Sequence, residues 1–306
     1  MSLRLGLLQW RVERSAGVAG WAARLDREAA EAVAQGADLA MMPEYALMEA
    51  ASGDHPDLAA ELLCATKMAP RALDAACRVA QREKLWLLPG TMPMQQDDRV
   101  QNRAPLIAPD GSVAFQDKHV MTRFESEQWG VSPGAPPSVF ETPWGRIGIA
   151  ICFDAEFPTL VRAQVEAGAW LILVPTCTDT MHGFARVKIA AAARAMENQC
   201  FVAIAPTVGE APWSATLDTN RGYAAVFGPV DQQFPEDGVL ARGALDQRGW
   251  VFADLDPGRL LAVREQGAVR NHASWPAPPP PSPVASRLRR LEPHHPQHAE
   301  PEQANR

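Results

Sequence analysis

The chain has 306 residues, 47% of them hydrophobic, with 36 acidic and 29 basic side chains and a formal net charge of −7. That length holds one large domain or two smaller ones, and the acidic balance argues against nucleic acid as a partner, because nucleic-acid binding normally shows a basic face. No apolar stretch reaches the roughly 20 residues that span a membrane, and the N-terminus lacks the features of a signal peptide. The expectation is a cytoplasmic protein with no membrane partner.

In chain order, Arg4–Gln9 reads as a first strand and the Ala-rich Val18–Gln35 as a helix ended by Gly36. Ala37–Met42 is a buried strand running into Pro43-Glu44-Tyr45. A second helical region covers about Pro56–Lys84, with an interruption expected at Pro70, and Leu85–Pro89 is the next strand. Asn102–Ala108 and Val113–Asp117 flank Pro109-Asp110-Gly111, a hairpin signal, and a second hairpin turns at Trp144-Gly145. Arg146–Cys152 is an apolar strand, followed by a helix at about Phe157–Ala167, a strand at Trp170–Pro175 and a helix at about Ala185–Asn198. Strands at Cys200–Ala205, Tyr223–Phe227, Leu240–Ala244 and Trp250–Asp254 complete the sheet content, with a short helix near Pro257–Arg264. Alternating strands and helices with inserted hairpins predict a mixed-sheet α/β domain over residues 1–274. From 275 to 306 the composition becomes Pro-rich and poor in apolar residues, which predicts a disordered tail.

The five cysteines show no C-x-x-C spacing, so neither a metal site nor a disulfide framework is expected. Cys64, Cys77, Cys177 and Cys200 read as packing residues. Cys152 differs, because it stands where an apolar strand bends toward a helix. Such a bend exposes one side chain and aims backbone N–H groups at whatever that side chain attacks. Two other apolar strands also end at reactive groups: Leu39–Pro43 at Glu44, and Val113–Gln116 at Asp117 and Lys118. If the three strands share a sheet, their ends gather a carboxylate, an ammonium and a thiol. Lys118 is one of only four lysines beside many arginines, which fits a need for a compact point charge.

MMPEYAL, FQDKHVMTRFESEQWGVSPG, GRIGIAICFDAEFP and ARAMENQ, in this order, resemble the carbon–nitrogen hydrolase (nitrilase) superfamily over about residues 3–270. The resemblance implies a four-layer α-β-β-α sandwich in a single domain. It also implies Glu44 as general base, Lys118 as oxyanion stabiliser and Cys152 as nucleophile, with no metal and no organic cofactor. A second glutamate follows the lysine in many members; Glu125 and Glu127 are both candidates, and counting back from Pro133-Gly134 favours Glu127. Phe153-Asp154 after the cysteine resembles amidase and carbamoylase branches more than nitrilases, which usually carry Trp-Glu there. The expected activity is therefore hydrolysis of a small amide or N-carbamoyl compound through a thioester, releasing ammonia. Nitrile hydrolysis on the same site and a catalytically inactive binding scaffold are the alternatives. A Cys–His hydrolase using His119 or His182 would leave Glu44 and Lys118 unexplained. Phe153, Glu156 and His182 are candidate substrate contacts, and Arg194 with Glu197 a structural ion pair or dimer contact. The resemblance further implies a homodimer or larger homo-oligomer, with Phe157–Ala167 and Ala185–Asn198 as the interface helices.

Overall fold

The computed structural model describes residues 1–275, so the segment read as a Pro-rich tail lies, from residue 276 on, outside the described residues. The elements are β1 (Leu3–Arg11), α1 (Gly17–Ala34), β2 (Leu39–Met41), α2 (Leu58–Glu83), β3 (Trp86–Leu88), β4 (Met92–Gln96), β5 (Arg99–Ile107) and β6 (Val113–Asp117). They continue with β7 (Val139–Thr142), β8 (Gly145–Ile149), α3 (Pro158–Glu166), β9 (Leu171–Thr176), α4 (Met181–Asn198), β10 (Phe201–Glu210), β11 (Thr219–Asn220), β12 (Ala225–Phe227), β13 (Val239–Arg242) and β14 (Gly249–Leu255). Two helices, α5 (Pro257–Gln266) and α6 (Asn271–Ser274), follow.

Two half-sheets form. In the first, β14 lies antiparallel to β1, β1, β2 and β3 run parallel, β3 and β4 pair with β5, and β5 pairs antiparallel with β6. In the second, β13, β12, β10, β9, β8 and β7 follow in order, with β10, β9 and β8 parallel. The halves join where the C-terminal ends of β1 and β10 pair in parallel, at Trp10 with Thr207 and Arg11 with Val208.

Period-two alternation along the strands explains the layering, because successive side chains point to opposite faces. Leu5, Leu7, Leu39 and Met41 share one apolar core with Ile147, Ile149, Leu171 and Leu173 of the second half-sheet. Their neighbours Leu8, Ala40 and Leu87 pack instead with Trp21, Leu25 and Ala76 of α1 and α2. Val161 and Val165 of α3 and Val187 and Ala191 of α4 close the far side. The order is helices, sheet, sheet, helices: a four-layer α-β-β-α sandwich.

Three expectations are corrected here. Pro70 does not interrupt α2, which runs through it. The proline sits on the exposed face, while Ala65, Ala69, Ala72 and Ala76 on both sides of it are buried along one stripe. That continuous burial outweighs one missing N–H. The first hairpin is larger than its turn signal suggested, because β5 starts at Arg99 and β4 precedes it. Finally, α4 begins at Met181, where the Thr180 hydroxyl accepts from the Gly183 N–H at 3.1 Å.

A buried ionic knot ties β1 to the helical layer. The Glu49 carboxylate, fully buried, accepts from Trp10 Nε1 (2.7 Å), the Glu13 N–H (2.7 Å) and Arg24 Nη1 (2.8 Å). The Arg24 guanidinium also lies 3.9 Å from the centre of the Trp10 ring. Burial pushes the Glu49 carboxyl up to about 7 against the pull of Arg24. Glu49→Ala should cost about 3–5 kcal/mol, since it takes the nearest carboxylate from a buried guanidinium and the acceptor from an indole N–H. Chemical denaturation measures this; a midpoint equal to the wild type would remove the knot from the fold's energetics.

Candidate active site

In both half-sheets the C-terminal ends of the parallel strands point to the same edge, and β6 runs in the same direction as β3 because two antiparallel pairings separate them. Side chains just beyond β2, β6, β8 and β9 therefore meet near the junction of the half-sheets, the position where open α/β sheets hold their ligands. Glu44 follows β2, Lys118 follows β6, Cys152 follows β8 and Cys177 follows β9. All four line one cavity of about 830 Å3.

Lys118 is the hub. Its Nζ donates to Glu44 Oε1 at 2.8 Å and to Glu125 Oε1 at 2.8 Å, and all three side chains are buried. Glu44 Oε1 also accepts from Asn102 Nδ2 at 2.9 Å, and Glu44 Oε2 from the Cys177 N–H at 3.0 Å. Glu125 is held in turn by the Tyr45 hydroxyl (2.5 Å) and by the N–H and hydroxyl of Thr122 (2.9 and 2.8 Å).

The cysteine sits on a strained bend. Cys152 has φ 48°, in the left-handed region that side-chain-bearing residues rarely adopt, at the head of a short 3-10 turn over Cys152–Glu156. Its thiol donates weakly to the Cys177 carbonyl at 3.6 Å. Asp154 fastens this bend to the lysine segment, because its carboxylate accepts from the N–H groups of His119 (3.1 Å) and Val120 (2.8 Å). Tyr45 is likewise left-handed at φ 60°. Gly90 lies so close to the Glu44 segment that a Cβ there would run into the Pro43 carbonyl, and its φ of +101° suits glycine alone.

The electrostatics follow from a cation between two carboxylates in a dry place. Burial raises the Glu44 carboxyl to about 7, opposed by Lys118 and assisted by the charge of Glu125. For Glu125, burial works upward but the lysine prevails and holds it below the usual carboxylate range. Burial pulls the Lys118 ammonium downward, yet Glu125 and Glu44 hold it well above the ordinary lysine value. The Cys152 thiol is pushed well up by burial and then by Glu44, with Lys118 opposing. Both shifts favour the neutral thiol at rest beside the Glu44 carboxyl.

The expected second glutamate needs correcting. Glu127 does not meet Lys118; it is exposed and pairs with Arg123 at 2.9 Å. Phe124–Trp129 winds as a single wide helical turn that ends at Gly130 with φ 76°, and its buried members are Glu125 and Trp129. Trp129 packs edge-on against Tyr45, with ring centres 5.2 Å apart, which turns the 125–129 face inward and Glu127 outward. A tryptophan four residues after Glu125 was the signal that could have chosen between them.

Of the candidate substrate contacts, Phe153 and Glu156 line the cavity, and Glu156 is paired with Arg186 at 3.3 Å. His182 is not among the lining residues. The early start of α4 carries it onto an exposed face, and Asp179 lines the cavity from that loop instead. The His119 ring turns to the Gly134 carbonyl at 3.2 Å rather than to the thiol. Arg194 and Glu197 do pair, at 2.9 Å. Another part of the wall, including Thr216, is anchored by the buried Glu61, whose Oε2 accepts from the Thr216 hydroxyl at 2.7 Å. Sequence reasoning missed Asn102, Tyr45, Thr122 and the backbone of Cys177. Among the described residues no group of three or more His, Cys, Asp or Glu is gathered as a metal site, and no helix is long and apolar enough to cross a membrane.

A four-layer sandwich with a thiol, a carboxylate and an ammonium at the C-terminal strand ends defines a nitrilase-type protein. The chain belongs to the carbon–nitrogen hydrolase family, whose model matches residues 5–259. It is 31% identical over 236 residues to the probable hydrolase YhcX of Bacillus subtilis (strain 168), a match that covers 76% of this chain and 46% of that relative. The chain thus spans about half the length of that relative. An omega-amidase of Xenopus tropicalis is 26% identical over 258 residues, covering 81% of this chain and 86% of the relative. Among solved structures, an amidase from Nesterenkonia sp. superposes with a TM-score of 0.69 at 25% identity, covering 86% of this chain and 94% of its own. Nit3 of Saccharomyces cerevisiae shares the fold with a TM-score of 0.67 at 20% identity, covering 86% and 93%.

Proposed function

We propose that this protein hydrolyses the C–N bond of a small amide or N-carbamoyl compound through a thioester on Cys152, with release of ammonia. The observation that carries the reading is a single buried ammonium held 2.8 Å from each of two buried carboxylates in the cavity that also presents the Cys152 thiol. The names of the relatives, an omega-amidase and an amidase, support an amide in preference to a nitrile, as does Phe153-Asp154 after the cysteine.

In the proposed reaction Glu44 takes the thiol proton as sulfur attacks the carbonyl carbon. Positioned proton transfer of this kind contributes about 10²–10⁴ in rate. The oxygen gains negative charge, which Lys118 Nζ and the Phe153 N–H stabilise. The C–N bond then breaks, and nitrogen leaves as ammonia with the proton from Glu44. Water attacks the thioester, Glu44 takes a proton from it, the C–S bond breaks, and the proton returns to sulfur as the acid departs. Glu125 keeps Lys118 charged and fixed throughout; its own carboxylate is occupied by three neighbours and is not free to act as a second base.

The test is ammonia release across a panel of primary amides, N-carbamoyl amino compounds and nitriles. Turnover of amides or carbamoyl compounds at least about tenfold above nitriles in kcat/KM is expected, since the reading rests on transition-state discrimination between them. Exclusive turnover of nitriles would overturn it.

A further inference from the structure

Asn102 is buried, and it touches two of the site's charged residues at once. Its Nδ2 donates to Glu44 Oε1 at 2.9 Å, while its carbonyl accepts the Lys118 N–H at 2.8 Å. Its Oδ1 is buried with no hydrogen-bond partner. Leaving a buried carbonyl oxygen unpaired is costly, and native interiors rarely tolerate it. A side chain present only to fill space would be better replaced by a leucine of similar size. The orphaned oxygen is the cost of presenting an amide donor to the carboxylate from a fully buried position.

We propose that Asn102 is a positioning residue that keeps Glu44 ionised and aimed in the resting enzyme, so that the base is ready before substrate arrives. A donor to the charged form of a carboxylate favours that form, and it does so most where bulk water is excluded. The other titratable or charged groups around Glu44 are Lys118 beyond β6, Glu125 on the wide turn, Cys152 on the bend, Cys177 beyond β9 and the adjacent Tyr45. Of these only Lys118 is a cation. Glu125 and a developing thiolate both oppose ionisation of Glu44, so the lysine is shared between two carboxylates. Among the hydrogen bonds of the described residues, the amide is the neutral side-chain donor to Oε1, beside the Lys118 ammonium.

The inference rests on the reading of Glu44 as general base, and its test separates the two. Purified full-length wild type, Asn102→Leu and Glu44→Gln are treated with iodoacetamide between pH 5.5 and 9, and alkylation of Cys152 is followed by peptide mass spectrometry. Wild type should show an acidic limb centred near pH 7, where the carboxyl titrates, and Glu44→Gln should lack it. In Asn102→Leu the limb should move upward by about one pH unit. Alkylation would then be about fivefold slower at pH 7 and nearly equal to wild type at pH 9. A packing defect would instead slow the reaction by the same factor at every pH, and that result overturns the proposal. So does a limb that stays in place in Asn102→Leu while Glu44→Gln abolishes it. If Glu44→Gln keeps the limb, the base assignment itself fails and this inference falls with it. Asn102→Ala provides a second variant if the leucine does not fold, with the same shift expected.

Discussion

Cys152→Ala should lose amide hydrolysis by about 10⁴-fold or more while melting close to the wild-type temperature. In the proposed reaction the Cys152 sulfur is the attacking atom, and removing one member of a group that acts as a unit typically forfeits nearly all the rate. The neighbouring thiol is not placed to take over. The Cys177 thiol donates to Asn220 Oδ1 at 3.1 Å, and burial followed by the charge of Glu44 pushes it well above the usual thiol value. The preserved fold follows from how little the sulfur holds in place: a long contact to the Cys177 carbonyl and a weak one to the Glu44 carboxyl. Asp154, which fastens the bend to the lysine segment, is untouched by the substitution. Alanine also meets the left-handed backbone at 152 no worse than cysteine does. Ammonia release and a thermal melt read both halves. Wild-type turnover in Cys152→Ala would end the thioester reading, whereas an unfolded variant would show that the bend depends on its sulfur.

The parts of this architecture that were legible in the sequence share a physical cause. Glu44 and Cys152 each follow an apolar, buried strand end, and an apolar run that stops at a polar side chain marks both the strand's end and the sheet edge where ligands gather; Lys118 follows a half-polar strand. Lys118 also stood out because cations here are mostly arginine. What stayed hidden depended on local winding or on backbone atoms. Spacing to Pro133-Gly134 cannot reveal that residues 124–129 take a wide turn, and that turn decides which glutamate faces inward. The Cys177 N–H that binds Glu44 leaves no trace in residue identity, because every residue except proline carries one. Asn102 fell at the assumed start of a strand that in fact begins at Arg99, so it looked terminal when it is interior. Pro70 misled in the other direction. A local breaker was overridden by an alanine stripe that runs unbroken on both sides of it.

Lys118→Met is expected to remove activity by at least about 10³-fold, and it should also change how stability depends on pH. Losing one oxyanion donor alone typically costs about 3–4 kcal/mol in the barrier, and here the damage goes further. The lysine is what keeps Glu125 below the ordinary carboxylate range and what opposes the burial of Glu44. Without it, two buried carboxylates face each other across the vacated position with no cation, and one must take up a proton. A protonated Glu44 is no base, so acylation and deacylation fail together.

The same two groups set the sign of the stability effect. In wild type the depressed Glu125 stabilises the fold above its unfolded value, a contribution lost only as pH falls through its low folded value. In Lys118→Met that carboxyl shifts upward, so it favours the fold when protonated and penalises it as pH rises. The variant's melting temperature should therefore fall from pH 5 to pH 8 more steeply than that of wild type. Equal slopes would mean that Glu125 is held down by Tyr45 and Thr122 rather than by the lysine. The lysine, 2.8 Å from each carboxylate, would then act on the charge of Glu44 alone.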